Sequence, residues 1–335
     1  MSSIVVAATG GVGNQLFQFA AARAIALATG RSIEISYRRS DQSLLRRSFL
    51  WARRWSMSIA ADEDRRFTLA RFDRPPDLVR IQTVAAESTR RQDRRRGFSR
   101  RTLKRAARSG ELAGAVVLRG PDDVSRILED PSSISETKEI VVAGVLATDR
   151  FVEPRIDALR SEIALPCGTD YVRKWTATRR SGRPLVGVHV RRGDYLKRRL
   201  VDSIVHLSPA WYAAAAERLT ERHGELEFVV VSDDPAWCRE SLRLPGPMAI
   251  ASLDHPKDPL EDLALLSRCD HHILANSTFS WWGARLAAAG GDVVAPTCWW
   301  IDPPIGREVL AEHWIALANS HEGLPIDRPC RAAVV

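Results

Sequence analysis

The residues best equipped for chemistry lie in three short runs, each directly after an apolar stretch. His189-Val190-Arg191-Arg192-Gly193-Asp194-Tyr195 follows Leu185 to Val188 and sets two guanidinium groups beside a glycine that lets the backbone turn. Planar forks of this kind suit a phosphate or diphosphate. Strand alternation puts His189 and Arg191 on one side and Arg192 on the other, so one arginine reaches a ligand while the other braces the turn, with Asp194 as a candidate partner. The spacing also fits a structural ion pair at a sheet edge. Ser232-Asp233-Asp234-Pro235 follows Glu227 to Val231. Asp233 is placed to accept from a guanine edge or a ribose hydroxyl, whereas Asp234, just before a proline, reads as a helix cap. Asn276-Ser277-Thr278-Phe279-Ser280 follows His272 to Ala275 and opens a helix, whose N–H groups and hydroxyls favour phosphate; ordinary capping is the competing role.

Two other runs resemble nucleotide or metal motifs and depart from them. Gly11-Val12-Gly13-Asn14-Gln15-Leu16 has a leucine where the dinucleotide fingerprint needs its third glycine, which excludes the usual NAD reading and leaves a turn able to admit a ligand. Asp62-Glu63-Asp64 lacks a preceding aliphatic strand and sits beside Arg65 and Arg66, so it reads as an acidic helix start. No His, Cys or carboxylate grouping has metal-ligand spacing, and the expectation is a site without metal or other cofactor.

The elements that must carry these runs alternate between strand and helix. Strands are expected at Leu185 to Val190, Glu227 to Val231, His272 to Ala275 and Val293 to Ala295, and helices at Pro209 to His223, Pro235 to Leu242, Pro259 to Arg268 and Ser280 to Ala289. That rhythm implies a parallel sheet covered on both faces. Earlier in the chain the pattern is weaker: a strand at Ile4 to Ala8, a glycine turn over Thr9 to Asn14, a helix over Leu16 to Ala28 closed by Gly30, strands at Ile33 and at Ile140 to Leu146, and a basic helical region between those two. The fold class expected is α/β, with two Rossmann-like, doubly wound domains at residues 1–167 and 168–335 facing a cleft, and ligands at the carboxyl ends of the strands.

The chain has 335 residues, 45% hydrophobic and 27% charged, enough for two packed cores. Its five cysteines are scattered without Cys-x-x-Cys, which argues against a disulfide framework and for a reducing, cytoplasmic location. Residues 2–22 are uncharged, yet glycines, Asn14 and Gln15 interrupt them, so they are not read as a secretory signal, and no stretch is apolar for long enough to span a membrane. The net charge of +8 resides in the first half, mainly in an insertion at 38–108 with 21 basic and 8 acidic residues. This run is either a solvated loop or a contact for an anionic surface such as the inner membrane face. Trp51 and Trp55, one helical turn apart, read as a core pair or an interfacial contact.

Taken together, the sequence resembles the inverting α1,2-fucosyltransferases of glycosyltransferase family 11. The family's Gly-Gly-x-Gly-Asn-Gln-x-Phe-Gln matches Gly10 to Gln18, His-x-Arg-Arg-Gly-Asp-Tyr matches His189 to Tyr195, Ser-Asp-Asp-Pro-x-Trp-Cys matches Ser232 to Cys238, and Asn-Ser-Thr-Phe-Ser-Trp-Trp matches Asn276 to Trp282. The resemblance implies a GT-B-like pair of domains, with GDP-fucose held by the C-terminal half and the acceptor largely by the N-terminal half. It implies His189 and Asp233 at the guanosine, and Arg191, Arg192 and the Asn276 to Ser280 helix start at the diphosphate. Arg191 is the expected stabiliser of the departing GDP. Asp194 is either a general base or an orienter of arginine, and Asn14 and Gln15 are expected to position the acceptor hydroxyl. The expected partners are GDP-fucose and a galactose-terminated glycan, including a lipid-linked one at an anionic membrane, with no nucleic acid. A GDP-sugar enzyme of other specificity, a protein O-fucosyltransferase, or an inactive binder of RNA or anionic surfaces are the alternatives.

Overall fold

The computed structural model describes residues 3–7, 10–38, 79–84, 111–112, 115–135, 138–163, 165–177, 182–196, 203–251, 259–300, 305–306 and 309–319. Most of the basic insertion lies outside these residues, as do Trp51, Trp55 and Asp62-Glu63-Asp64. The chain divides into two compact units, Met1–Ala164 and Leu165–Val335.

The first unit contains β1 (Ile4–Ala7), α1 (Val12–Thr29), β2 (Ile33–Arg38), β3 (Val79–Val84), β4 (Glu111–Leu112), β5 (Ala115–Leu118), α2 (Pro121–Glu129), β6 (Glu139–Val142) and α3 (Ile156–Glu162). Its sheet runs β3-β2-β1-β6-β5-β4, parallel except for the short β4–β5 hairpin. Helix α1 begins earlier than its sequence suggests. Gly10 makes the turn by itself at φ 78°, Gly11 is extended at the cap, and the helix follows at once, with Asn14 and Gln15 in its first turn. Gly30 closes it in the left-handed region, donating its N–H to the carbonyl of Ala26. The basic helical region expected between Ile33 and Ile140 lies mostly outside the described residues; where it is described, the chain forms strands β3, β4 and β5, helix α2 and a 3-10 turn at Pro131–Ser133 instead of one long helix. In Val79-Arg80-Ile81-Gln82 apolar and polar residues alternate with the period of a strand, but Thr83-Val84 fall out of step and leave too short a pattern to read. The Ile140 strand is shorter than expected, ending at Val142, because Gly144 turns the chain at φ 153°. The partly buried Arg23–Glu162 pair, with Nε to the two carboxylate oxygens at 2.8 and 3.0 Å, ties α1 to α3.

The second unit contains α4 (Asp170–Thr176), β7 (Leu185–Val190), α5 (Pro209–His223), β8 (Glu227–Ser232), α6 (Pro235–Ser241), β9 (Met248–Ile250), α7 (Pro259–Leu266), β10 (His271–Ile273), α8 (Thr278–Arg285), β11 (Val293–Pro296), a small β12 (Cys298–Trp300) and β13 (Ile305–Gly306) pair, and β14 (Ile315–Leu317). The main sheet runs β14-β11-β10-β7-β8-β9, entirely parallel. This is the Rossmann order, in which the chain winds outward from β7 to β9, then returns to β10 on the other side. Every residue of β7 is buried, as expected of a central parallel strand. Val186, Val188 and Val190 pack with Trp211, Tyr212 and Leu219 of α5, while Leu185, Val229 and Val231 pack with Leu265 and Leu266 of α7. The four strands and four helices expected in this half all form, though α8 starts at Thr278 and ends at Arg285. Strands β9 and β14 went unread because three residues give too short a pattern. Among the described residues, no helix is long and apolar enough to cross a membrane.

Three histidines of this sheet are buried, and burial holds each of them neutral. It lowers His272 to about 4, opposed by the ring's bond to the Leu266 carbonyl at 2.8 Å, and it also lowers His271, aided by the ring of His223 stacked 3.9 Å away. Burial, together with the charge of Arg191, lowers His189 to about 3. The unfolded chain takes up these protons near pH 6.5 and the folded one does not, so stability is complete above about pH 6.5 and declines as the pH falls toward 4. Each histidine contributes a slope of up to about 1.4 kcal/mol per pH unit. Urea unfolding at pH 7, 6, 5 and 4.5 is expected to give a falling midpoint; a midpoint unchanged over that range contradicts the buried neutral state.

Candidate active site

The crevice of a doubly wound sheet lies where neighbouring strands send their connections in opposite directions, here between the carboxyl ends of β7 and β10. The residues that follow these two strands are Arg191 to Leu196 and Leu274 to Ser280, and β8 delivers Asp233 and Asp234 alongside. The sheet therefore gathers the three chemically equipped runs at one edge.

Arg191 is the centre of the cluster. Its Nη2 lies 2.7 Å from Asp194 Oδ1 and its Nη1 3.0 Å from Asp233 Oδ2, so two carboxylates from two strand ends share one guanidinium. Burial works against its charge, and Asp233 and Asp194 outweigh that effect and raise its pKa. Asp233 also accepts the backbone N–H groups of Arg192 at 2.8 Å and Gly193 at 3.1 Å. Its carboxylate thus shapes the arginine turn from the neighbouring strand, a role its sequence position did not suggest. Gly193 is required for that approach, since a Cβ there would stand 2.7 Å from Asp233 Oδ2.

Arg192 points elsewhere, as alternation requires. Its Nε lies 3.1 Å from Asp234 Oδ2 and its guanidinium carbon 4.0 Å from the centre of the Trp237 ring. It braces the turn against Asp234, and the expected partner Asp194 pairs with Arg191 instead, because the turn folds residue 194 back beneath residue 191. Asp234 caps α6, accepting from the Trp237 N–H at 3.2 Å. The signal for the Arg192–Trp237 contact was present in the sequence, since Trp237 stands one helical turn after the cap.

His189 presents its ring 5.2 Å from that of Phe279, and its buried Nδ1 has no hydrogen-bond partner among the described residues. The Tyr195 hydroxyl donates to the Asn276 carbonyl at 2.8 Å. Asn276 Nδ2 donates to the carbonyls of Val205 at 2.7 Å and Trp299 at 3.1 Å, which turns this side chain toward the protein behind the crevice. Ser277 caps α8 through the Phe279 N–H at 3.3 Å, and Ser280 Oγ donates to the carbonyls of Ala275 and Ser277. Thr278 and Phe279 are half-buried in the first turn of α8. Asn14 and Gln15 stand in the first unit at the head of α1, where Gln15 Nε2 donates to the Gly10 carbonyl at 3.1 Å.

Residues 155–318 match glycosyl transferase family 11. That match covers most of the second unit, Leu165–Val335. Mouse galactoside 2-alpha-L-fucosyltransferase Sec1 is 40% identical over 113 residues, 32% of this chain and 30% of the relative. Galactoside alpha-(1,2)-fucosyltransferase 1 of Lagothrix lagotricha is 40% identical over 121 residues, 33% of this chain and 31% of the relative. The chain thus spans about a third of the length of these relatives. Among solved structures, Arabidopsis thaliana FUT1 in complex with GDP aligns over 88% of this chain and 70% of its own at 14% identity, with a TM-score of 0.49.

Substituting Gly193 by alanine is expected to push Asp233 off the turn and cost about 1–3 kcal/mol of stability. Denaturant unfolding checks this, and an unchanged midpoint would show that the turn has slack the geometry denies.

Proposed function

We propose that this chain is an inverting, metal-independent fucosyltransferase that moves L-fucose from GDP-fucose to a glycan hydroxyl, O-2 of a terminal galactose. The observation that carries the reading is Arg191, aimed by two carboxylates at the crevice of a Rossmann-ordered sheet within a family 11 unit. The names of the family 11 relatives support the sugar and the linkage.

In this reaction the acceptor oxygen attacks C1 of fucose from the face opposite GDP. The C1–oxygen bond to the diphosphate breaks, its electrons stay with GDP, and the acceptor proton leaves to a base. Negative charge grows on the β-phosphate, so a fixed guanidinium beside it stabilises the transition state more than the ground state. Arg191 fills that role. The head of α8, around Ser277 to Ser280, adds its hydroxyls and the positive end of its helix dipole as the second set of groups. Arg192 holds the turn from behind. His189, neutral and with a free ring nitrogen, and Asp233 are the guanosine contacts, the latter while it also holds the turn. Asp194 orients Arg191 through their ion pair, and it is also the carboxylate proposed to take the acceptor proton. Asn14 and Gln15 are the residues proposed for the acceptor hydroxyl. Lipid-linked acceptors at an anionic membrane suit the basic run at 90–108, since each Lys or Arg near such a surface contributes on the order of 1 kcal/mol.

The reading is tested with labelled GDP-fucose and a panel of terminal-galactose acceptors in excess EDTA. Transfer to O-2 is expected, with UDP-sugars poor donors; strict dependence on added manganese or transfer to another position overturns it. Arg191→Ala is expected to lower kcat/KM at least about a hundredfold, with little recovery in Arg191→Lys, because an ammonium cannot reproduce the fork. A near-normal rate in a folded Arg191→Ala enzyme moves the leaving-group role elsewhere. Binding to anionic vesicles is expected to weaken with salt and to vanish when Arg90 to Arg108 is neutralised; equal binding to neutral vesicles assigns that run to a solvated loop.

A further inference from the structure

The crevice between β7 and β10 has two walls that come from separate parts of the chain. One is the arginine turn, Arg191 to Leu196; the other is the segment from Leu274 into α8. A side-chain hydrogen bond joins them, from the Tyr195 hydroxyl to the Asn276 carbonyl at 2.8 Å. Its far end is anchored, since Asn276 is buried and its amide holds the carbonyls of Val205 and Trp299. Its near end meets the catalytic cation, since the Arg191 guanidinium stands 5.8 Å from the centre of the Tyr195 ring, within the range of a cation–π contact. The ring therefore forms the third side of the cradle whose other two sides are Asp194 and Asp233.

We propose that Tyr195 is a positioning residue: by pinning the arginine turn to the carboxyl end of β10, it sets where Arg191 points relative to the head of α8. The inference rests on the proposed use of this crevice for a nucleoside diphosphate. Asp194 and Asp233 tie Arg191 to its own turn and to the end of β8, and the Tyr195 hydroxyl ties that turn to the end of β10. A diphosphate between the walls needs both sets of donors at one spacing, and displacement of reacting groups by about 1 Å is enough to lose a large factor in rate. Burial raises the Tyr195 phenol to about 12, so the hydroxyl remains a donor well above neutral pH.

Tyr195→Phe is the direct test, because it removes one hydroxyl and keeps the ring beside Arg191. GDP affinity is measured by calorimetry on the full chain for the wild type, Tyr195→Phe, Arg191→Ala and the double variant, with kcat and KM for GDP-fucose alongside. The expected result is a loss of about three- to tenfold in GDP affinity and a larger loss in kcat for Tyr195→Phe. In the Arg191→Ala background the same substitution is expected to cost nothing further, since its effect passes through Arg191. The kcat/KM profile of Tyr195→Phe between pH 6 and 9 is expected to keep the wild-type shape. Equal losses with and without Arg191 overturn the inference and make the hydroxyl a merely structural bond, as does an unchanged GDP affinity and kcat in Tyr195→Phe. A wild type that binds GDP yet transfers no fucose overturns the transfer reading while the affinity cycle still decides the role of Tyr195; a wild type that binds no GDP overturns both.

Discussion

One guanidinium shared by two carboxylates governs the arrangement of this site. Arg191 is held by Asp194 from its own turn and by Asp233 from the next strand, and the same Asp233 takes two N–H groups of that turn. Breaking such a partly buried network from one side leaves charge without a partner, which is more costly than the network's net contribution to stability. The turn is therefore locked to β8 by electrostatics. A cation fixed in this way needs no reorganisation when negative charge appears beside it, which is the general source of electrostatic catalysis.

The rest of the second unit follows from where that network must sit. Its parallel sheet buries β7 completely, so the polar residues Arg191 to Tyr195 emerge only where the strand ends. The Rossmann order then sets the end of β10 beside that of β7 and opens a crevice between them. Asn276 closes the arrangement from behind by donating to the backbone carbonyls of Val205 and Trp299. What looks in sequence like three separate motifs is one structure built on three strand ends.

Much of this was legible before the fold. Continuous aliphatic runs with turn residues on either side marked β7 and β8, and proline-led starts marked α5, α6 and α7, because parallel sheets and helix caps leave strong local signatures. Alternation alone separated Arg191 from Arg192. The sequence was least informative where partners are remote or elements short. Nothing local could pair Asp233 with the turn forty residues earlier or show Asn276 turned away from the crevice. In the first unit, the alternation of β3 covers only Val79 to Gln82, and a single glycine at residue 10 shortened the turn before α1.

The central claim is that the crevice at the ends of β7 and β10 receives the diphosphate of the donor against Arg191. A crystal structure of the chain with GDP measures this most directly. The account predicts a β-phosphate oxygen within hydrogen-bond distance of the Arg191 guanidinium, with the Tyr195 hydroxyl still bound to the Asn276 carbonyl. GDP bound away from Arg191, for example at the head of α1 in the first unit, would contradict it.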